Sequence, residues 1–96
     1  MMPVMFRHGS LVISFWSNEG SPTEPIHVHI SRDANRVGAD KYWLSKDGYF
    51  VPAKDNKHIK SHVAQKMLSM YISSGGVQDL IDTWKANFGN VRYFDE

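Results

Sequence analysis

The spacing of apolar residues changes once along this chain, and that change constrains the fold more than any other feature. From Val4 to Val51 apolar residues alternate with polar ones or cluster in short β-branched and aromatic runs. From Ile59 onward they recur three and four positions apart. A period of two belongs to strands with one buried face, and a period near 3.6 to helices with one buried stripe. Strands grouped first and helices second indicate an α+β domain, not alternating βαβ units. The expected architecture is an antiparallel sheet of about four strands followed by two helices packed on one face.

The individual elements follow from the same pattern. Val4-Met5-Phe6 and Leu11 to Trp16 flank Arg7-His8-Gly9-Ser10, which reads as a hairpin with Gly9 in the turn. Ser17 to Pro25 is a polar connector with two prolines and a glycine. Ile26 to Ser31 is the third strand, with Ile26, Val28 and Ile30 toward the core and His27 and His29 on the other side. Arg32 to Arg36 is a polar turn, Ala39 to Ser45 the fourth strand, and Tyr49-Phe50-Val51 a possible short addition. Ile59, Val63, Met67, Met70 and Tyr71 mark the first helix, with Asp55 or Asn56 as its N-cap. Ser73 to Gly76 ends it. Val77, Leu80, Ile81, Trp84 and Phe88 mark the second, stopped by Gly89. The core expected from this layout contains Ile13, Phe15, Val28, Leu44, Ile59 and Trp84.

Composition narrows the class. A chain of 96 residues makes a single domain, spanning 1–96. Net charge is +1, so the chain lacks the basic excess typical of a nucleic-acid binder, although a local patch remains possible. There is no cysteine, which excludes disulfides and thiolate metal sites. No secretory signal pattern opens the chain, and no run approaches the roughly 20 apolar residues of a membrane span. The expected location is cytoplasmic, with no membrane partner.

Four short motifs follow one another: Trp16-Ser17-Asn18-Glu19, Pro25-Ile26-His27-Val28-His29-Ile30, Lys41-Tyr42-Trp43-Leu44, and Trp84 through Phe88-Gly89. In order and spacing this resembles the small bacterial proteins of the domain of unknown function family 4160, over roughly Pro3 to Gly89. The resemblance implies a short cytoplasmic protein encoded beside another very small one, in a toxin–antitoxin-like setting. It carries no established catalytic set. The chain departs from the family pattern in a longer segment before Lys41, extra histidines in the first helix, and Gly75-Gly76 ahead of the second.

His27 and His29 are the sharpest chemical feature. Two apart on a strand, they project from one face, with Lys41 and Trp43 expected opposite them. Two imidazoles can serve as general base and acid for attack of a ribose 2′-hydroxyl on its own phosphate. Lys41 or Arg32 would stabilise the developing charge, and Glu19 would orient an imidazole. Trp16 or Trp43 can stack a base, while Lys41, Arg32 and Arg36 can contact phosphate. The same residues also suit a solvated or partner-covered sheet face. Glu24, a lone loop carboxylate, reads as solvated. His58 and His62, four apart on the expected first helix, join His27 and His29 as a possible histidine-only metal site. No His-Glu-x-x-His motif and no Gly-x-Ser-x-Gly elbow is present.

The leading reading is an interaction module of a toxin–antitoxin-like or mobile-element system. It would bind a protein partner or RNA through an exposed face carrying His27, His29, Lys41 and Trp43, without a cofactor. The alternatives are a metal-independent ribonuclease using His27 and His29, a histidine-based metal-binding protein, and a phage-type inhibitor of a host nucleoprotein.

Overall fold

A computed structural model describes residues 4–16, 24–33 and 38–96. Five strands come first: β1 (Val4–His8), β2 (Leu11–Ser14), β3 (His27–Arg32), β4 (Asp40–Leu44) and β5 (Phe50–Pro52). Two helices follow, α1 (Ser61–Ser73) and α2 (Gly76–Phe88). The strands form one sheet in the order β1-β2-β3-β4-β5, each antiparallel to its neighbour. The fold is thus the expected α+β arrangement, with the short Phe50–Pro52 segment as a fifth strand. No helix of the described residues is long and apolar enough to cross a membrane.

Register assigns each residue a side. Ile13 lies opposite Ile30, and Val28 opposite Tyr42. These join Leu11, Phe15, Leu44 and Phe50 on the side covered by the helices. The helices contribute Ala64, Met67, Leu68, Tyr71, Leu80 and Trp84 to the same core, and Ile59 enters it from the segment before α1. All six residues expected in the core are there. Each fully buried Ile, Leu or Phe contributes roughly 1.5–3 kcal/mol relative to exposure. Val12 is also fully buried, on the opposite side of β2.

The start of α1 differs from expectation. Neither Asp55 nor Asn56 caps it; the N-cap position is Lys60, which makes no side-chain capping bond. The cause is Asp40, buried at 1% exposure. Its carboxylate accepts hydrogen bonds of 2.8–3.1 Å from the backbone N–H groups of Lys57, His58 and Ile59. That holds residues 57–59 as a turn under β4 and delays the helix to Ser61. His58 therefore precedes α1, and the helical spacing expected for His58 and His62 does not apply.

Gly75 and Gly76 have separate tasks. Gly75 adopts φ +85°, a left-handed conformation that turns the chain between the helices. Gly76 starts α2 directly against the Tyr71 ring, where a Cβ would come within 2.6 Å of Tyr71 Cγ. Tyr71 is itself enclosed by Phe6 and Phe50, with centroid separations of 5.5 and 6.3 Å.

The C-terminal segment packs. After Gly89, which ends α2 at φ +84°, the Ile26 N–H donates to the Arg92 carbonyl at 2.8 Å. The Lys46 N–H donates to Asp95 Oδ1 at 2.9 Å, and the Phe94 ring lies 6.5 Å from Trp43. Residues 92–95 therefore run along the end of the sheet where β3 begins.

Candidate functional site

The side of the sheet away from the helices carries Ser14, His27, His29, Ser31, Lys41, Trp43 and Val51. The pairings Ser14–His29, His29–Lys41, His27–Trp43 and Trp43–Val51 follow from register. Lys41 and Trp43 thus sit across from the two histidines, as the strand periodicity predicts.

The histidines are not open to solvent. His27 is 0% exposed and His29 5%, so the expected exposed histidine face is corrected. Aromatic neighbours cause the burial. The His27 ring meets His29, Trp43 and Trp84 edge-on at centroid distances of 5.0, 5.5 and 5.2 Å. Trp84 also packs on Phe15 at 5.2 Å, so it touches rings from both sides of the sheet. Trp16 lies over His29 with ring centroids 3.8 Å apart.

Hydrogen bonding fixes the His27 tautomer. Its Nδ1 lies 2.8 Å from the Pro25 carbonyl, which can only accept, so Nδ1 carries a proton. Pro25 cannot donate in return because it lacks an N–H. The rigid Pro25-Ile26 entry into β3 therefore orients the imidazole. This is a structural use for a histidine that its spacing suggests for chemistry.

The accessible part of this face is a recess of about 490 Å³. Its walls include Trp16, His29, Lys41, Trp43, Lys54 and Asn56. His27 is not among its lining residues. Lys41 Nζ is ion-paired with Glu24 and stands 4.6 Å from the Trp43 ring centroid, in cation–π range. Glu24, expected to be solvated, is thus engaged with the site. Asn56 exchanges two hydrogen bonds with the Lys41 backbone: it accepts from the N–H at 2.8 Å and donates to the carbonyl at 2.7 Å. It holds the wall in place, and its amide is used in doing so.

The sequence pattern does not mark Lys54, Asp55, Asn56 or Glu24 as site residues. The usable signal was a polar turn, Ala53 to Asn56, directly after a short strand that pairs with β4. Arg32 is placed elsewhere, in a separate concavity with Gly38, His58 and Ile59. Glu19 and Arg36 lie outside the described residues. Among the described residues no group of three or more His, Asp or Glu side chains could hold a metal ion, so the proposed set of His27, His29, His58 and His62 does not assemble. His62 lines yet another groove, beside His8 and Lys66.

Tyr42, on the helix side of β4, has its phenol pKa raised by burial and by the nearby Asp40 carboxylate, against an opposing hydrogen bond with Asn56. Asn56 thus links the recess wall to the buried Asp40–Tyr42 region.

Fold and site together define a small α+β domain with an indole- and lysine-lined recess on the free side of an antiparallel meander. Compared with protein-family models, curated proteins and solved structures, the chain has no match.

Proposed function

We propose that the chain is a small cytoplasmic interaction module of a toxin–antitoxin-like or mobile-element system, and that it holds a protein partner at the recess. The observation that carries this reading is the placing of Trp16 and Trp43 around one concavity with Lys41 and Lys54. Tryptophan is enriched where truncation costs a complex most, and an aromatic centre with a polar rim matches interface anatomy. The ion pair of Glu24 with Lys41 supports a partner that offers a carboxylate able to take Glu24's place, beside an apolar side chain.

The test is co-expression with the neighbouring small protein, followed by capture and affinity measurement. Trp43→Ala is expected to weaken the complex by about thirtyfold, the effect of an interface anchor worth about 2 kcal/mol. The far-ultraviolet circular dichroism should be unchanged. Undiminished capture by the Trp43→Ala chain would refute the placement, and a wild-type chain that stays alone would refute the function.

RNA is the second reading, favoured by the same combination of indoles and ammonium groups. It predicts quenching of tryptophan fluorescence by single-stranded oligonucleotides, with affinity falling as salt rises. The RNA would be held, not cut. His27 is enclosed and committed to Pro25, leaving His29 as the only one of the two imidazoles lining the recess. Cleavage that disappears in His29→Ala would overturn that distinction.

A further inference from the structure

A second groove lies on the other side of the sheet, where the β1–β2 turn meets α1. Its volume is about 330 Å³. Leu11, Val63, Met67 and Met70 form an apolar floor, and His8, His62 and Lys66 stand at its edge. Register explains the meeting. His8 pairs with Leu11, so both side chains face the helices. On α1, Val63, Met67 and Met70 are spaced four and three apart, which puts them on one stripe. His62 and Lys66, four apart, flank that stripe.

Two properties decide what such a groove takes. The first is charge. His8, His62 and Lys66 are exposed, Lys66 is a cation, both imidazoles can donate a hydrogen bond to an anion, and no described acidic residue lines the groove. The second is shape. A floor of two methionines and two branched aliphatics is adaptable, because unbranched thioether side chains repack around an apolar guest. The volume is at the small end of the ~300–1,000 Å³ typical of small-ligand sites. It admits one narrow apolar body rather than a helix.

We propose that this groove binds an aliphatic monocarboxylate, with its methylene chain along Leu11, Val63, Met67 and Met70 and its carboxylate held by Lys66, His62 and His8. Charge complementarity selects the head group, and the small volume of the groove limits the chain to moderate length. The site is independent of the recess on the opposite side of the sheet.

The probe is sodium decanoate, kept below the concentration at which it self-associates, titrated into the isotope-labelled chain. Backbone and methyl resonances of Leu11, Val63, Met67 and Met70 are expected to shift and saturate together, while those of Trp43 and Lys54 stay in place. Lys66→Glu, a change at an exposed helix position, is expected to weaken binding at least fivefold, since reversing a surface charge both removes an attraction and adds a repulsion. Decanol, with the same chain and no charge, is expected to bind at least fivefold more weakly than decanoate. Met70→Trp, which fills the groove from a half-buried position, is expected to abolish saturation. The proposal is overturned if decanoate produces no saturable shift, if the shifts centre elsewhere, or if decanol or the Lys66→Glu chain binds as tightly as the wild-type pair.

Discussion

Gly76→Ala tests the packing logic of the helical layer most directly. Alanine at a helix position is normally favourable by up to about 1 kcal/mol over glycine. Here the added methyl would sit within 2.6 Å of Tyr71 Cγ and closer still to Cδ1 and Cε1. Carbon atoms prefer a separation of about 3.5–4.0 Å, so ring or helix must move by about an ångström. The ring has little room, because Tyr71 is 1% exposed and bounded by Phe6 and Phe50. Overpacking a filled core costs roughly 1–3 kcal/mol, and so large an overlap belongs at the upper end. Set against the propensity gain, the net loss is about 2 kcal/mol. For a domain of this size that lowers Tm by roughly 8–16 °C. Thermal and urea denaturation would measure it. A control isolates the cause: in a Tyr71→Leu background the same glycine-to-alanine change should cost less than about 0.5 kcal/mol. An alanine variant as stable as wild type would refute the argument, as would an equal loss in both backgrounds.

Further expectations concern the buried polar groups and the C-terminal segment. Asp40→Asn should cost about 2–3 kcal/mol in chemical denaturation, because an acceptor shared by three backbone N–H groups becomes partly a donor; amide exchange at Lys57, His58 and Ile59 should accelerate together. Among the described residues the buried Tyr71 hydroxyl meets no hydrogen-bond partner, and its pKa is raised by burial and by Asp79. Because the folded pKa of this phenol lies above the unfolded one, the stability of the fold is at its full value below about pH 10 and is lost as pH climbs toward the folded value. Tyr71→Phe should therefore be neutral or stabilising by up to about 1 kcal/mol near neutrality and should flatten the alkaline loss of stability, read by denaturation against pH. Ending the chain at Asn90 removes the Arg92 carbonyl and the Phe94 ring; it should lower Tm and red-shift tryptophan emission as Trp43 becomes wetter.

The parts of the fold that could be read from the sequence are those decided by neighbours along the chain. Alternation placed Ile13, Phe15, Val28 and Leu44 on one side and His27, His29, Lys41 and Trp43 on the other, because a strand has only two faces. Phe50–Pro52 was harder to assign, since three residues carry little periodicity. Ile59 fits the apolar stripe of the first helix, so periodicity alone starts that helix too early; the group that holds residues 57–59 in a turn is Asp40, distant in sequence. Burial of His27 was equally hidden. It depends on Trp84 from α2 and on Trp43, itself flanked by Phe94, and no local pattern brings these together. Of the recess, Trp16, His29, Lys41 and Trp43 were legible as a face, whereas Lys54, Asn56 and Glu24 required the pairing of β4 with β5 and the return of the chain before β3.

The order of strands in the sheet matches their order in the chain, and this has a kinetic consequence. Each strand can dock on the one made just before it, so the sheet grows by short loop closures of low entropic cost. The bond from the Ile26 N–H to the Arg92 carbonyl is different in kind, joining a residue near the start of β3 to one beyond the last helix. It can form only after the whole chain between them has been synthesised. The aromatic ring of contacts around His27, which needs Trp84 from α2, waits on the same stage of synthesis. A growing chain therefore carries every residue that lines the recess, from Trp16 to Asn56, before the aromatic packing around His27 can be completed, and the enclosure of that histidine is a late event in folding.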